Sequence, residues 1–456
     1  MASLCPSRPA TTSALILAVL VVLAPVLMRI GLVCGGYGVP LLDPDAITYR
    51  QTASSIIANH SYSNVKVPFF SIVLAAFFYA FGDSDLTQRC VSFSFGVLAV
   101  LVVYKLGKRE FGRDGAVLAS FLLASNYYAV FNSFRGLREE LCSVVLLTLV
   151  YFSTSRKTDR AREAVLASAL TAILYFTRSD TALVVVPTLL AYLLLSSVAK
   201  KRKVPKMMMI CVLVALMASV AAWSVYSISI SGDPYAESTY YASWMYWFDI
   251  EKGVGVQSAR NVTMTEYLFR YHTPLELASA TARGALGTLA YLDFFRGQLP
   301  IAGLLLLGSA ILCWKDQRNW YYLLLSGVAL LYLGLFHGLG VIEIQRFMMP
   351  FEPVFMLAVS LCLVEIFRFV HAQKLSASSV LVAYGLMACL LVGYVCRNYL
   401  YMLAYMEAHI TQAPTTASAV LSKLTITDLA SLLLLVLLCA LWFGVVARER
   451  VHKRTS

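Results

Sequence analysis

Long, unbroken apolar runs alternate with short polar stretches from one end of the chain to the other. Runs such as 12–33 and 91–104 are predominantly apolar, without sustained two-residue alternation. Most approach the roughly 20 residues that a helix needs to cross a bilayer. In hydrocarbon the backbone must satisfy its own hydrogen bonds, which leaves helices or closed barrels. Continuous apolarity selects helices. The pattern therefore predicts an all-α, polytopic membrane protein. One run differs. Residues 67–81, VPFFSIVLAAFFYAF, are short for a span and start beside a proline, so they are expected as an amphipathic or re-entrant helix on the outer face.

Composition agrees with lipid as the solvent. Of the 456 residues, 59% are hydrophobic and 14% charged, and mean hydropathy is +0.72. A soluble domain would carry about a quarter charged residues. The formal charge of +12 does not point to nucleic acid, because the basic residues sit in short connectors between apolar runs. These connectors include Lys105–Arg113, Arg156–Arg162, Lys200–Lys206, Lys315–Arg318, Arg368–Lys374 and Arg448–Arg454. By the positive-inside rule each is cytoplasmic. Run 12–33 is too long for a signal-peptide core and lacks a clean small-residue cleavage site, so it is read as an uncleaved first span behind Arg8. The path closes with about twelve spans, both termini inside, and a single membrane domain over 1–456 without internal repeats. It leaves 34–90, 133–140, 231–298, 338–347 and 396–427 outside, along with the span ends around Arg178 and Asp180. The ten cysteines form no CxxC pair. Cys142, Cys211, Cys313 and Cys439 read as small buried side chains, while a pairing among Cys34, Cys90 and Cys396 is left open.

Candidate chemistry collects in the outer segments. Asp43-Pro44-Asp45 is followed by Tyr49 and Arg50. Pro44 holds its predecessor extended, and Asp45 is placed either to cap a helix or to act as a general base or divalent-cation ligand. In Arg135-Gly-Leu-Arg138-Glu139-Glu140 the arginines either pair with the adjacent carboxylates or grip a phosphate through their planar forks. Lys66, ahead of Pro68, either snorkels to headgroups or holds a phosphate. Glu343 and Arg346 precede Pro350 and Pro353 at a span end, where charge usually serves function. Arg178 and Asp180 are expected to pair. The aromatic stretch 235–248 suits an interfacial belt or a sugar-stacking surface. Asn59-His60-Ser61 and Asn261-Val262-Thr263 are outer N-glycosylation triplets of a kind that also arises by chance. His60, His272 and His337 are too dispersed for a zinc site.

Four of these elements, in order, resemble the GT-C superfamily of polyprenyl-phosphate-sugar glycosyltransferases. The closest likeness is to the branch of protein O-mannosyltransferases and lipid A aminoarabinose transferase. Pro44-Asp45-Ala46-Ile47-Thr48-Tyr49 is similar to that branch's Pro-Asp-Glu-x-x-Tyr motif, with Ala46 in place of the Glu. Lys66-Val67-Pro68 is similar to its Lys/His-Pro-Pro element with one proline lost. Arg138-Glu139 resembles its second outer-face carboxylate, and Arg346-Phe347 through Pro350 and Pro353 resembles its late Arg-Tyr-x-x-Pro-x-x-Pro motif.

The resemblance implies transfer of a sugar from a polyprenyl-phosphate carrier to a protein, lipid or glycan acceptor, with inversion, at the extracytoplasmic or lumenal face of the plasma membrane or endoplasmic reticulum. It makes Asp45 the catalytic carboxylate, with Asp43 supplying the missing second charge and Glu139 the further acid. Arg138, Arg346, Lys66 and Arg135 would bind the donor phosphate, and Tyr49 and Glu343 the substrate. The resemblance implies no particular cofactor and leaves a divalent cation open, with Asp43 and Asp45 as its ligands. Two other classes stay open: a transporter or flippase of lipid-linked sugars, and a non-catalytic scaffold. Transporters place charge at mid-span and break their helices there, whereas the unusual charges here lie at span ends.

Overall fold

The computed structural model describes residues 43–62, 64, 66–154, 161–199, 205–251, 261–291, 320–339 and 347–372, with single positions 23, 26 and 30 in the first apolar run. Among the described residues the regular structure is helical throughout and contains no strand.

The first polar helix, α1 (Pro44–Asn59), begins where Asp43 adopts an extended conformation and accepts hydrogen bonds from the Asp45 and Ala46 amides at 2.9 and 3.3 Å. Pro44 takes the first helical position, where its missing N–H costs nothing. The cap is thus Asp43 rather than Asp45, whose first-turn position instead favours the helix dipole. Ala46, Tyr49 and Ala53 form a buried stripe at helical spacing.

Helix α2 (Phe69–Phe81) is apolar throughout but only 13 residues long. At about 1.5 Å per residue it falls well short of a roughly 30 Å hydrocarbon core, in keeping with a helix that does not cross.

Helix α3 (Asp85–Phe111) is the organising strut. Ser84 caps it by accepting from the Thr87 amide at 3.1 Å, and Lys108 and Arg109 lie in its last turn. At 27 residues it extends about 40 Å, with the acidic and amide side chains at one end and the basic cluster at the other. Helices α4 (Arg113–Ala124), α5 (Tyr127–Arg135) and α6 (Glu139–Ser153) pack around it. Helices α7 (Ala161–Thr177), α8 (Ser179–Ala199) and α9 (Lys206–Ser231) follow, with α7 lying between α6 and α9. Helices α10 (Ala236–Asp249), α11 (Met264–Arg270) and α12 (Pro274–Tyr291) come from the long segment 231–298; α13 (Trp320–Gly338) packs on α12 and α8, and α14 (Glu352–Ala372) on α4.

Four described helices are long and apolar enough to span a membrane: α3, Ser179–Val198 of α8, α9, and Tyr321–Gly338 of α13. They make the chain an integral membrane protein. The remaining expected spans include runs outside the described residues. Between the bundle helices, the core is continuous from Tyr49 and Phe70 through Leu122 and Leu146 to Phe355.

Candidate functional site: a charge cluster at one end of the bundle

Six carboxylates and four cations meet near the start of α3. Asp43, which caps α1 through Oδ1, also receives the Arg135 guanidinium on Oδ2. Asp45, one turn further on, receives the Lys66 ammonium. Lys66 is itself well placed: its amide donates to Asn64 Oδ1 at 3.0 Å, its carbonyl accepts from the Tyr62 hydroxyl, and its Nζ lies 5.6 Å from the Tyr49 ring and 5.8 Å from that of Tyr240. It is only 5% exposed, so it faces protein and does not snorkel freely.

Arg138 approaches the same Tyr49 ring, also at 5.6 Å. Its two terminal nitrogens reach Glu237 Oε1 at 3.4 Å, and one of them donates to the Tyr241 hydroxyl at 3.2 Å. Glu237 Oε2 accepts from Ser179 at 2.9 Å. Burial pushes the Glu237 carboxyl above its ordinary value, with Arg138 opposing. Tyr49, 1% exposed, has no partner for its hydroxyl among the described residues. Burial raises that hydroxyl far above the ordinary tyrosine range, so it remains a neutral donor.

The third group centres on Arg178. It donates to Glu139 at 3.2 Å and to both oxygens of Asp180 at 3.1 and 3.3 Å, while its guanidinium lies 4.7 Å from the Phe347 ring. Tyr332 donates to Asp180 at 2.5 Å. The expected Arg178–Asp180 pair is therefore present, joined by Glu139.

Charges of the arginine-rich turn reach partners on other elements. Arg135 goes to Asp43, Arg138 to Glu237, Glu139 to Arg178, and Glu140 to Ser133 at 2.9 Å. The reason lies in α3. Gln88 Nε2 donates to the Ala46 carbonyl at 3.0 Å and to that of Gly136 at 2.8 Å. Arg89 donates to Phe134 O at 3.0 Å, and Ser92 to Leu137 O at 2.7 Å. One helix face thus fixes four carbonyls and sets α1 against the 134–138 turn. Gly136 has φ +69°, and a Cβ there would meet the Gln88 side chain at 2.9 Å, so the turn needs glycine for both conformation and space.

Of the residues singled out from sequence, Asp43, Asp45, Tyr49, Lys66, Arg135, Arg138 and Glu139 converge here. Glu343 and Arg346 lie outside the described residues; Phe347, which follows Arg346, packs on Arg178 and Tyr241. The cluster adds Glu237, Tyr240 and Tyr241 from the aromatic stretch, so that stretch contributes side chains to the site. It also adds Gln88, whose long-range bonds leave no local sequence signal.

A divalent cation on Asp43 and Asp45 does not fit this arrangement. Both Asp43 oxygens are engaged, by the helix cap and by Arg135, and Asp45 is bound by Lys66. A cation would have to displace two positive partners. Among the described residues no group of three His, Cys, Asp or Glu side chains could hold a metal.

Comparison with known proteins gives the frame. The family described as dolichyl-phosphate-mannose-protein mannosyltransferase matches residues 65–225, from just before Lys66 through most of α9. No curated protein matches by sequence. Among solved structures, the Archaeoglobus fulgidus oligosaccharyltransferase AglB, in complex with an inhibitory peptide and a dolichol-phosphate, superimposes with a TM-score of 0.56 at 15% identity, over 91% of this chain and 61% of that one. ArnT from Cupriavidus metallidurans gives a TM-score of 0.52 at 14% identity in its apo state, over 96% and 77%. Bound to undecaprenyl phosphate it gives 0.50 at 13%, over 96% and 79%. The chain shares the fold of these structures, the GT-C fold. In length it spans about three fifths of the archaeal oligosaccharyltransferase. Within the GT-C fold, the cluster is built from α1, the α2 entry, the α5–α6 turn, the α7–α8 junction and α10.

Proposed function

We propose that the chain is an inverting glycosyltransferase that moves a sugar from a polyprenyl-phosphate carrier to an acceptor hydroxyl at the non-cytoplasmic face. The observation that carries this reading is the meeting of Asp45, Lys66 and Arg138 around one buried tyrosine, Tyr49, at the outer end of the bundle. A carboxylate suited to take a proton thus sits beside two cations suited to a phosphate. The AglB and ArnT structures containing dolichol-phosphate and undecaprenyl phosphate support the choice of carrier.

In the proposed reaction Asp45 removes the proton of the acceptor hydroxyl, whose oxygen attacks the anomeric carbon in line. The bond from that carbon to the phosphate oxygen breaks, and the lipid phosphate leaves with the electron pair. Lys66 and Arg138 meet the charge that develops on it, the kind of fixed electrostatic stabilisation that usually dominates catalysis. Donor phosphate entering the site would compete with Asp45 for Lys66 and with Glu237 for Arg138, releasing Asp45 to act as a base. Arg135 holds Asp43 and through it the start of α1. Glu139 positions Arg178. Arg346 is assigned to the same phosphate on its motif match, and Glu343 to substrate binding on its place near the same span end.

The test is transfer of radiolabel from a set of polyprenyl-phosphate-sugars incubated with membranes containing the chain. Label should pass to an acceptor with the native chain and not with Asp45→Asn. Passage of labelled donor across the bilayer without transfer would establish a transporter instead, and neither transfer nor passage would point to a scaffold.

A further inference from the structure

The sequence holds two Asn-X-Ser/Thr triplets, Asn59-His60-Ser61 and Asn261-Val262-Thr263, and the sugar-transfer site uses neither. Both asparagines are exposed. Asn59 is the last residue of α1, next to His60, whose left-handed backbone (φ 50°) turns the chain away from the helix. Asn261 lies in the coil before α11. There the adjoining Val262 amide donates to Ser243 at 2.9 Å and Thr263 caps α11. The two sites therefore sit on ordered supports with the acceptor amides turned to the surface.

They also share a compartment with the charge cluster. Helix α1 starts at the cluster and carries Asp45, Arg50 and Gln51 in its sequence PDAITYRQTASSIIAN. A segment of 16 residues with that polarity does not cross a bilayer. The chain then returns to the cluster at Lys66, so Asn59 lies on the cluster's side. The same holds for Asn261. It is separated from Glu237 of the cluster by α10 and by residues 250–260, IEKGVGVQSAR, neither of which contains an apolar run of spanning length. The opposite end of α3 carries Lys105, Lys108 and Arg109, which places that end in the cytoplasm and the cluster outside.

We propose that Asn59 and Asn261 are N-glycosylation sites on the same membrane face as the charge cluster. In the modification the asparagine amide nitrogen forms a bond to the anomeric carbon of an oligosaccharide carried on a lipid diphosphate. The carbon–oxygen bond to the diphosphate breaks, the amide gives up one proton, and the diphosphate leaves with the electron pair. The host cell's N-glycosylation machinery supplies the donor and the enzyme. The inference does not depend on the catalytic reading, because it concerns sidedness and surface alone.

The experiment is expression of the tagged full-length chain in a cultured eukaryotic cell line, followed by digestion with a peptide N-glycosidase and electrophoresis. The native chain should show two added glycans that the enzyme removes. Asn59→Gln and Asn261→Gln should each remove one, as should Ser61→Ala and Thr263→Ala, and the double asparagine variant should run as the digested chain. Unchanged mobility of the native chain, with a secreted control modified in the same cells, overturns the proposal for both positions. A single glycan overturns it for the asparagine whose substitution has no effect. A triplet engineered into the basic connector 155–160 serves as the opposite reporter, and its modification in place of the native two would reverse the assigned face.

Discussion

The Lys66 ammonium is bound to the Asp45 carboxylate across 21 residues of chain, with side-chain exposures of 7% and 16%. Such a buried pair is costly to break from one side, since the remaining charge is left uncompensated. Its members are therefore expected to act as a unit. Asp45→Asn should reduce sugar transfer by about 100-fold or more, the usual contribution of a positioned base. Lys66→Met should reduce it too, and the double variant should be little worse than the poorer single variant, as coupled residues behave. Transfer rates of the four proteins in matched membranes check this; simple multiplication of the two losses would show that the residues work separately.

Arg138 reaches one Glu237 oxygen with two of its nitrogens and the Tyr241 hydroxyl with one of them. A lysine keeps the charge but loses the planar fork. Arg138→Lys is expected to raise the donor KM and lower kcat, together by roughly 10- to 100-fold in kcat/KM, corresponding to about 1.4 to 2.7 kcal/mol. Steady-state kinetics with a polyprenyl-phosphate-sugar measures it, and native kinetics in the variant would remove Arg138 from the phosphate site.

Gln88 is uncharged, yet it joins the Ala46 and Gly136 carbonyls. Gln88→Leu should let α1 and the arginine turn drift apart, and small displacements of reacting groups cost up to about 100-fold in rate. The loss is expected mainly in kcat. Gly136→Ala should act in the same direction, because its Cβ would press on Gln88. A variant that inserts normally and retains native kcat would count against this positioning role.

Glu237 offers a test in pH. Burial keeps its carboxyl above the ordinary value in the folded chain, whereas the unfolded chain has the ordinary value, about 4.3. As pH rises through that value the unfolded state releases its proton first. Stability contributed by this group is thus fully present below the ordinary value, declines up to the raised one, and is constant above it. Glu237→Gln should flatten that decline. Thermal midpoints of the detergent-solubilised protein between about pH 4 and pH 7 give the comparison, and an undiminished decline in the variant would assign the effect elsewhere.

The helical membrane fold was legible because apolar runs of spanning length leave the backbone few choices. The short α2 was legible from its length and its proline. The meeting of Asp45 with Lys66 could be anticipated only through motif resemblance, since no periodicity joins residues on separate helices. Capping was one of two readings open for Asp45, and Pro44 in the first helical position gives that role to Asp43. Glu237 was hidden because a lone carboxylate among Tyr and Trp reads as part of an interfacial belt. Gln88 was hidden for a different reason. A buried amide that satisfies carbonyls 42 and 48 positions away leaves no trace in local composition.

Gln88, which joins α1 to the arginine turn, and Arg89 and Ser92, which hold the turn's carbonyls, all project from α3, a helix long and apolar enough to cross the membrane. When a bilayer thickens or thins, spans respond by tilting. Here the two halves of the cluster ride on one such span, so tilt carries them together as a rigid jig, and their separation is decoupled from the lipid composition in which the protein works.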